Sequence, residues 1–308
     1  MQTIKQFQKA KPLLVNLTKN LSSLNFVPEY CEPSKNDIEN FQLFVKKSKN
    51  LFVLTGAGIS TESGIPDYRS EKVGLYNRTD RRPIQHSEFM NHAQRRKLYW
   101  ARNYVSWPRF SSFRPNTNHR IFSQWERQGK VLHHVTQNVD SLLVKAGCVR
   151  LTELHGTSYK VKCMDCDFRL SRDSMQLLIK LQNSFWNVTS NELAPDNDVQ
   201  LTDEQIKDFK TPVCPKCKND RLKPEVVFFG DSIPKQTVEC AKEKLSKCDA
   251  LLAAGTSIEV FSAYRIILQA KELEIPVAIL NIGRTRADDK ADLKINSLCS
   301  QVLSKITF

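Results

Sequence analysis

The chain has 308 residues, of which 26% are charged and 40% hydrophobic, and it carries a net charge of +13. This is the composition of an ordinary globular protein, with enough length for one large domain or for a large and a small one. No apolar run approaches the roughly 20 residues that cross a bilayer, so we expect no membrane insertion. The basic residues are spread along the chain, which argues against a nucleic-acid partner and also suits an enzyme that binds an anionic cofactor.

The first 36 residues form a tail with features of an import signal. Residues 1–28 contain no Asp or Glu and four lysines, and Ile4, Phe7 and Leu14 fall near one helical face. Transit peptides share this acid-poor, amphipathic character, although they are usually rich in arginine and this segment has none. The tail therefore predicts mitochondrial import, the alternative being a surface helix or a frayed end.

Strand and helix patterns alternate along the rest of the chain. A helical pattern over 37–47 precedes the apolar run Leu51–Thr55, which stops at Gly56 and predicts a strand buried on both faces. Similar apolar runs recur at 131–136, 250–254 and 277–280, and helical patterns lie between them at 118–128, 238–246 and 263–273. This alternation predicts an α/β fold with a Rossmann-like, doubly wound parallel sheet.

One stretch, residues 157–225, breaks this alternation, because it carries two Cys-x-x-Cys pairs and few long apolar runs. We expect it to be a smaller zinc-binding module inserted into a Rossmann-like domain that comprises residues 37–156 and 226–308. The pair spacing lets both sulfurs reach one tetrahedral Zn²⁺, and the odd total of nine cysteines argues against a secreted disulfide framework.

The predicted ligands are the four thiols of these pairs: Cys163, Cys166, Cys214 and Cys217. Residues 167–213 between the pairs exceed the roughly 15 to 20 of a compact zinc ribbon, so a long loop is inserted there. Four thiolates leave no position open for water, which predicts one structural zinc. The alternative is a pair of unrelated free-thiol motifs.

A Gly-x-Gly directly follows the first predicted strand. Gly56 and Gly58 would let backbone N–H groups approach a pyrophosphate at a helix N-terminus. The third glycine of the dinucleotide fingerprint is missing, because Thr61 occupies its place, and this argues against a hydride-transferring dehydrogenase. Polar residues at 136–140 and at His155 follow later strands, where an open α/β sheet binds its ligands. A histidine taken alone is more often structural than catalytic.

Taken together and in order, these motifs resemble those of the sirtuin family over roughly residues 37 to 305. The motifs are GAGIS (56–60), SGIPDYRS (63–70), TQNVD (136–140), LHG (154–156), the two Cys-x-x-Cys pairs, VVFFGD (226–231), GTS (255–257) and NIG (281–283). The segment 68–86 is most similar to the mitochondrial, class II branch, and within it to the lipoamidase and ADP-ribosyltransferase member rather than the desuccinylase. The segment IEVFSAY (258–264) departs from the family pattern, since it lacks the family's common proline.

The resemblance implies an NAD-dependent protein-lysine deacylase of the mitochondrial matrix that acts on acyl-lysine proteins, metabolic enzymes among them. NAD would be a co-substrate that is cleaved to nicotinamide while the acyl group passes to ADP-ribose. His155 would be the general base that activates a ribose hydroxyl, which suits a neutral imidazole, and Asn138 would assist catalysis. The residues implied in cofactor binding are Gly56, Ala57, Gly58, Ile65, Asp67, Tyr68, Arg69, Gln137, Asn138, Asp140, Gly255, Thr256, Ser257, Asn281, Ile282, Gly283 and Cys299.

The resemblance also implies where the substrate binds. The peptide would lie as an added strand along Val227, Phe228, Phe229 and Gly230. Tyr99 and Arg102 share one face of a predicted helix, and a Tyr-x-x-Arg pair binds the distal carboxylate of succinyl-lysine in the class II desuccinylase. We therefore expect acyl groups other than acetyl, carboxylated, branched or lipoyl-like, and the insert around 193–199 is a second candidate for shaping the pocket. The alternative for Arg102 is a solvated surface arginine.

Three other functions remain open on the sequence alone. A protein mono-ADP-ribosyltransferase would use the same NAD site with a different acceptor. An NAD-sensing module without catalysis is disfavoured by the presence of both His155 and Asn138. A nucleic-acid-binding protein would be recognised by binding that weakens steeply with salt.

Overall fold

The parallel sheet of the computed structural model is assembled from strands that lie far apart in the sequence. The structure describes residues 26–80, 82–190, 192 and 194–308, so most of the predicted transit segment lies outside the described residues. The strands are β1 (Leu51–Thr55), β2 (Val131–Thr136), β3 (Leu151–Glu153), β4 (Gly156–Cys163), β5 (Arg169–Ser171), β6 (Leu222–Val226), β7 (Ala250–Ala254), β8 (Val277–Leu280) and β9 (Leu293–Ile295). The larger sheet is parallel throughout in the order β3-β2-β1-β7-β8-β9, which confirms the predicted doubly wound fold.

Helices cover both faces of this sheet. The helices of the described residues, including those of the smaller module, are α1 (Lys35–Lys47), α2 (Leu75–Arg78), α3 (His86–Asn91), α4 (Ala93–Ser112), α5 (Thr117–Arg127), α6 (Leu142–Lys145), α7 (Arg172–Gln182), α8 (Asp203–Ile206), α9 (Lys235–Leu245), α10 (Phe261–Glu272) and α11 (Cys299–Leu303), with 3₁₀ helices at Ala57–Ser63 and Asp288–Lys290. Within the described residues, no helix is both long and apolar enough to span a membrane.

The central strand β1 is an almost uninterrupted apolar run because both of its faces are buried. Leu51 and Val53 face a core formed with α1, α5 and α11, whereas Phe52 and Leu54 face a second core formed with α9 and α10. All four side chains are fully buried. Because successive residues of a strand point to opposite faces, a strand with helices on both sides has no solvent-facing position for a polar side chain.

A second, antiparallel sheet in the order β5-β4-β6 forms the base of the smaller module. Its core includes Val161 of β4 and Met175 of α7, and also Trp100 of α4. The indole N–H of Trp100 donates to the carbonyl of Leu222 in β6 at 2.8 Å. The predicted division places helix α4 in the Rossmann-like domain. In the structure the helix packs against both parts, with Trp100 in the core of the module and Trp107 in a cluster with Ile65.

A buried arginine joins α4, α7 and the long insert. The guanidinium of Arg172 donates to the side-chain carbonyl of Asn103 at 2.8 and 3.1 Å and lies over the rings of Trp107 and Trp100, at 4.5 and 5.4 Å from their centroids. Asn103 in turn donates to the backbone carbonyl of Asn197 in the insert at 3.1 Å. Burial lowers the pKa of Arg172 to about 9. The amide of Asn103 therefore stabilises a buried charge and fixes the insert at the same time.

We expect Asn103→Leu to lower the free energy of unfolding by about 3 kcal/mol, because it removes the side-chain acceptor from a buried guanidinium. Urea unfolding measures the change. The matched control is Asn91→Leu at the exposed end of α3, where a change within about 0.5 kcal/mol is expected. Equal losses in the two variants would contradict this role for Asn103.

Candidate active site

A cavity of about 1320 Å³ opens at the carboxyl ends of β1, β2, β7 and β8, between the large sheet and the smaller module. Every residue predicted to bind the cofactor lines it, from Gly56 to Cys299, as do His155 and the predicted peptide segment 227–230. This is the edge at which an open parallel sheet binds its ligands. The fold thus brings the separate sequence motifs to one site, although the role of each residue stays a prediction.

The floor of the cavity is a contact between two stretches of bare backbone. The N–H of Gly58 donates to the carbonyl of Gly255 at 2.9 Å. A Cβ on Gly58 would lie 2.8 Å from that carbonyl oxygen, and a Cβ on Gly255 would lie 2.6 Å from the backbone nitrogen of Ile59. Gly255 also has a positive φ of 58°, which side chains disfavour. This glycine cradle leaves room for a ligand such as a pyrophosphate, so the residues present fit a dinucleotide.

A buried network of polar side chains lies behind the cradle. The hydroxyl of Ser60 donates to Asp140 at 2.7 Å and accepts from the amide of Asn138 at 3.2 Å, and that amide also donates to the carbonyl of Gly56 at 3.0 Å. Burial raises the pKa of Asp140, against hydrogen bonds from the Leu142 N–H and from Ser60. The network fixes Asn138 at the cavity wall with its carbonyl oxygen still available to a ligand.

His155 is held at both ring nitrogens. Its Nδ1 lies 3.1 Å from the carbonyl oxygen of Gln137, and its Nε2 lies 3.0 Å from the hydroxyl of Ser262. A carbonyl oxygen can only accept, so the neutral ring carries its proton on Nδ1, and its Nε2 lone pair accepts from the Ser262 hydroxyl at the cavity wall. Burial lowers the pKa of His155, partly offset by the hydrogen bond to Gln137. The ring is therefore a neutral imidazole at ordinary pH, as a general base must be.

Aromatic side chains and the insert form the wall nearest the module. Tyr68, Tyr99, Phe228 and Pro195 with Asp196 all line the cavity. The rings of Tyr99 and Phe228 are 5.3 Å apart between centroids, and burial raises the pKa of Tyr99. The insert, predicted only as a candidate for shaping the pocket, does reach it through these two residues; Leu193 lies outside the described residues.

The structure places the two residues that were predicted to bind the acyl group, Tyr99 and Arg102, in different surroundings. Tyr99 lines the cavity, whereas Arg102 is not among the described residues that do. Arg102 instead lies 3.7 Å from the carboxylate of Asp198 in the insert, and both side chains are largely buried. The expectation that Arg102 reads the acyl group is therefore not supported by its position. The tyrosine and the arginine share a helix face, but the insert covers one of them.

The four predicted metal ligands come together in the smaller module, where Cys163 and Cys214 belong to its buried core. Their sulfur atoms all lie within 4.8 Å of one another, with 3.5 Å between Cys163 and Cys217 and 3.7 Å between Cys166 and Cys214. Tetrahedral zinc with Zn–S bonds of about 2.3 Å requires sulfur atoms about 3.8 Å apart. The cluster is thus compatible with one structural zinc, although residues 167–213 separate the pairs in the sequence.

Two parts of the cavity were missed by sequence reasoning. Residues 27–31, assigned to the tail, line the cavity, and the Ser297 hydroxyl holds the carbonyl of Cys31 at 2.8 Å. Ser262, the partner of His155, lies in the segment noted only for lacking a proline. No local pattern marks either feature, because each depends on residues far away in the chain.

Comparison with known proteins agrees with this geometry. The model of the Sir2 family matches residues 56–262. The chain is 50% identical to the NAD-dependent protein lipoamidase sirtuin-4, mitochondrial, of Bos taurus, over 91% of this chain and 89% of that protein. It is 45% identical to the NAD-dependent protein deacylase Sirt4 of Drosophila melanogaster, over 94% and 93%. A solved structure described as the basis for the mechanism and regulation of Sir2 enzymes superposes with a TM-score of 0.68 and 30% identity, covering 88% of this chain and 96% of that one.

We expect the purified protein to contain one zinc per chain, measured by elemental analysis. Cys214→Ala should lose this zinc and make the module sensitive to proteolysis, because metal binding and folding of such sites are coupled. Cys240→Ala, which changes a cysteine outside the cluster, should retain the metal. Protein that is folded, protease-resistant and free of zinc would refute a structural role for the cluster.

Proposed function

This chain belongs to the Sir2 family, and on that premise we propose that it is an NAD-dependent protein-lysine deacylase with His155 as its general base. The observation that carries the proposal is the state of His155. A neutral imidazole with Nδ1 bound to the Gln137 carbonyl presents a basic Nε2 to a cavity whose floor fits a dinucleotide.

The cavity residues divide the work between binding and proton transfer. The glycine cradle, with Thr256 and Asn281 beside it, would hold the phosphates and the adenosine half of NAD, while Asn138 and Asp140 would orient the nicotinamide half. NAD supplies an anomeric carbon bonded to a good leaving group. The acyl oxygen of the modified lysine would attack this carbon, and nicotinamide would leave. His155 would then take a proton from a ribose hydroxyl, and that oxygen would attack the acyl carbon.

The peptide segment is suited to receive an extended substrate. Residues 227–230 follow β6, and the N–H of Val227 donates to the carbonyl of His155 at 2.8 Å, which ties the segment to the base. The exposed Phe229 and the cavity-lining Val260 flank the entrance. A substrate backbone added along this edge would direct its acyl-lysine inward toward His155.

We propose that the preferred acyl groups are long and uncharged, such as lipoyl, rather than carboxylated. The wall is built from the rings of Tyr99, Tyr68 and Phe228 together with Pro195, which offer apolar contact. The guanidinium that would bind a distal carboxylate belongs to Arg102, and it is engaged with Asp198 outside the cavity wall. The relative from Bos taurus is named as a lipoamidase, which agrees with this choice.

The proposal extends to location and partners. Relatives carry the word mitochondrial in their names, and the acid-poor tail suits import, so we propose that the protein acts in the mitochondrial matrix on acylated metabolic enzymes. The mono-ADP-ribosyltransferase alternative is not favoured, because these relatives are named as deacylases and lipoamidases.

We expect His155→Ala to lower kcat/KM for deacylation about 10²- to 10⁴-fold, the usual contribution of a general base. Release of the free lysine peptide, followed by mass spectrometry, measures the rate. His92→Ala at the exposed start of α4 is the matched control and should retain activity. A folded His155→Ala enzyme within threefold of wild type would reject His155 as the base.

The same wild-type enzyme should show a characteristic pH profile. Because burial lowers the pKa of His155, the ring stays deprotonated to a lower pH than an ordinary imidazole. The acid limb of kcat/KM should therefore have its midpoint below about 6.5. A midpoint above that value would mean that the ring is stabilised in its protonated form.

We expect Arg102→Leu to change the rates on glutaryl- and lipoyl-lysine peptides by similar factors, because Arg102 supports the insert through Asp198 and does not contact the acyl group. The ratio of the two kcat/KM values should stay within about threefold of wild type, which is below the loss of one charge-assisted hydrogen bond. Arg95→Leu on the exposed face of α4 is the control. A selective loss of more than tenfold on the glutaryl peptide would restore the carboxylate-binding role.

A further inference from the structure

The general base has a partner on its cavity side that the proposed mechanism does not use. The hydroxyl of Ser262 lies 3.0 Å from Nε2 of His155, the atom that must take the ribose proton. Since Nδ1 carries the ring proton, Ser262 is the donor in this hydrogen bond. A serine hydroxyl has an advantage over other partners, because it can both donate and accept.

The position of Ser262 is fixed by the sheet and not by a mobile loop. Ser262 is in the first turn of α10, and the next residue, Ala263, is fully buried in the core against the sheet. Ile266 and Ile267 continue this packed face. The Ser262 hydroxyl is therefore held beside the imidazole by tertiary packing, with rotation about its own side-chain bond as its remaining freedom.

Proton transfer changes Nε2 of His155 from a hydrogen-bond acceptor into a hydrogen-bond donor. The one lone pair of Nε2 accepts from Ser262, so the ribose proton reaches the ring through the serine. The ribose O–H bond breaks as its proton passes to the Ser262 oxygen, the Ser262 O–H bond breaks as its proton passes to Nε2, and the ring becomes an imidazolium. The lone pair that accepted from Ser262 is then gone, and the new N–H requires an acceptor. The Ser262 oxygen, which now carries the ribose proton, supplies that acceptor without movement of the backbone, because it is already at hydrogen-bond distance.

We propose that Ser262 passes the ribose proton to the general base: its hydroxyl donates to the neutral imidazole before the transfer, and its oxygen accepts from the imidazolium afterwards. The inference rests on the proposed function, because it assigns Ser262 a part in the step that needs His155. It also gives a physical consequence to the segment 258–264, which lacks the proline common in the family.

The proposal makes the two halves of the reaction separable. Cleavage of the nicotinamide bond precedes the step that needs the base, so labelled nicotinamide can re-enter NAD when the base is impaired. A variant that merely disturbs the cavity slows both exchange and deacylation. A variant that impairs the base alone slows deacylation and leaves exchange intact.

The experiment measures both rates in Ser262→Ala with NAD, labelled nicotinamide and a lipoyl-lysine peptide. We expect deacylation to fall on the order of tenfold, the effect of one hydrogen bond to an imidazolium, while exchange stays within about twofold of wild type. Ser262→Thr keeps a hydroxyl and should recover deacylation to within about threefold. Ser246→Ala, at the exposed end of α9, is the control and should change neither rate.

Three results would overturn the inference. One is unchanged deacylation in Ser262→Ala, another is an equal loss of exchange and deacylation in a variant with unaltered thermal unfolding, and the third is a failure of Ser262→Thr to recover the rate. If the wild-type protein neither exchanges nicotinamide nor removes acyl groups from any peptide, the proposed function fails first, and the role of Ser262 with it.

Discussion

The contact between the backbones of Gly58 and Gly255 is the constraint on which the site depends. It joins the loop after β1 to the loop after β7 at a distance that no side chain at either position would allow. Thr256, next to Gly255, accepts from the side chain of Gln137 at 2.9 Å, and the carbonyl of Gln137 accepts from Nδ1 of His155. The open space above the two glycines and the tautomer of His155 are thus set by one chain of contacts between the loops that follow adjacent strands.

The cavity wall formed by the module and its insert depends instead on a buried charge, the guanidinium of Arg172. The Arg172 guanidinium is buried with amide, carbonyl and aromatic partners, and its pKa is lowered by desolvation. A charge placed there is costly unless every donor is satisfied, so Asn103 cannot be exchanged for an apolar residue of similar size. Because Asn103 also holds Asn197, the requirement of a buried charge determines where the insert crosses the cavity. The shape of this cavity wall therefore follows from the packing of the core of the module.

The insert also explains why a helix-face argument was insufficient at Tyr99 and Arg102. Spacing along α4 places the two side chains on one side of the helix, which the structure respects. This spacing does not indicate which residues of other elements pack against Tyr99 and Arg102. Asp198 covers the arginine, and the tyrosine is left to the cavity with Pro195 nearby. The position of Arg102 outside the cavity wall depends on the carboxylate of Asp198, which lies 96 residues further along the chain. The sequence between the two residues does not indicate this contact.

The sequence by itself determined the features that depend only on residues close together in the chain. Largely apolar runs predicted the strands at 51–55, 131–136, 250–254 and 277–280 with their observed bounds, because burial on both faces favours apolar residues locally, although β2 also contains the buried His133 and His134. Glycines directly after a strand indicated a cradle, and Cys-x-x-Cys spacing indicated the metal ligands. Only the tertiary structure decided which side chains meet: His155 with Ser262, Arg102 with Asp198, and residues 27–31 with the cavity. Such pairs are brought together by packing of distant elements, and neither member carries a local signal of its partner.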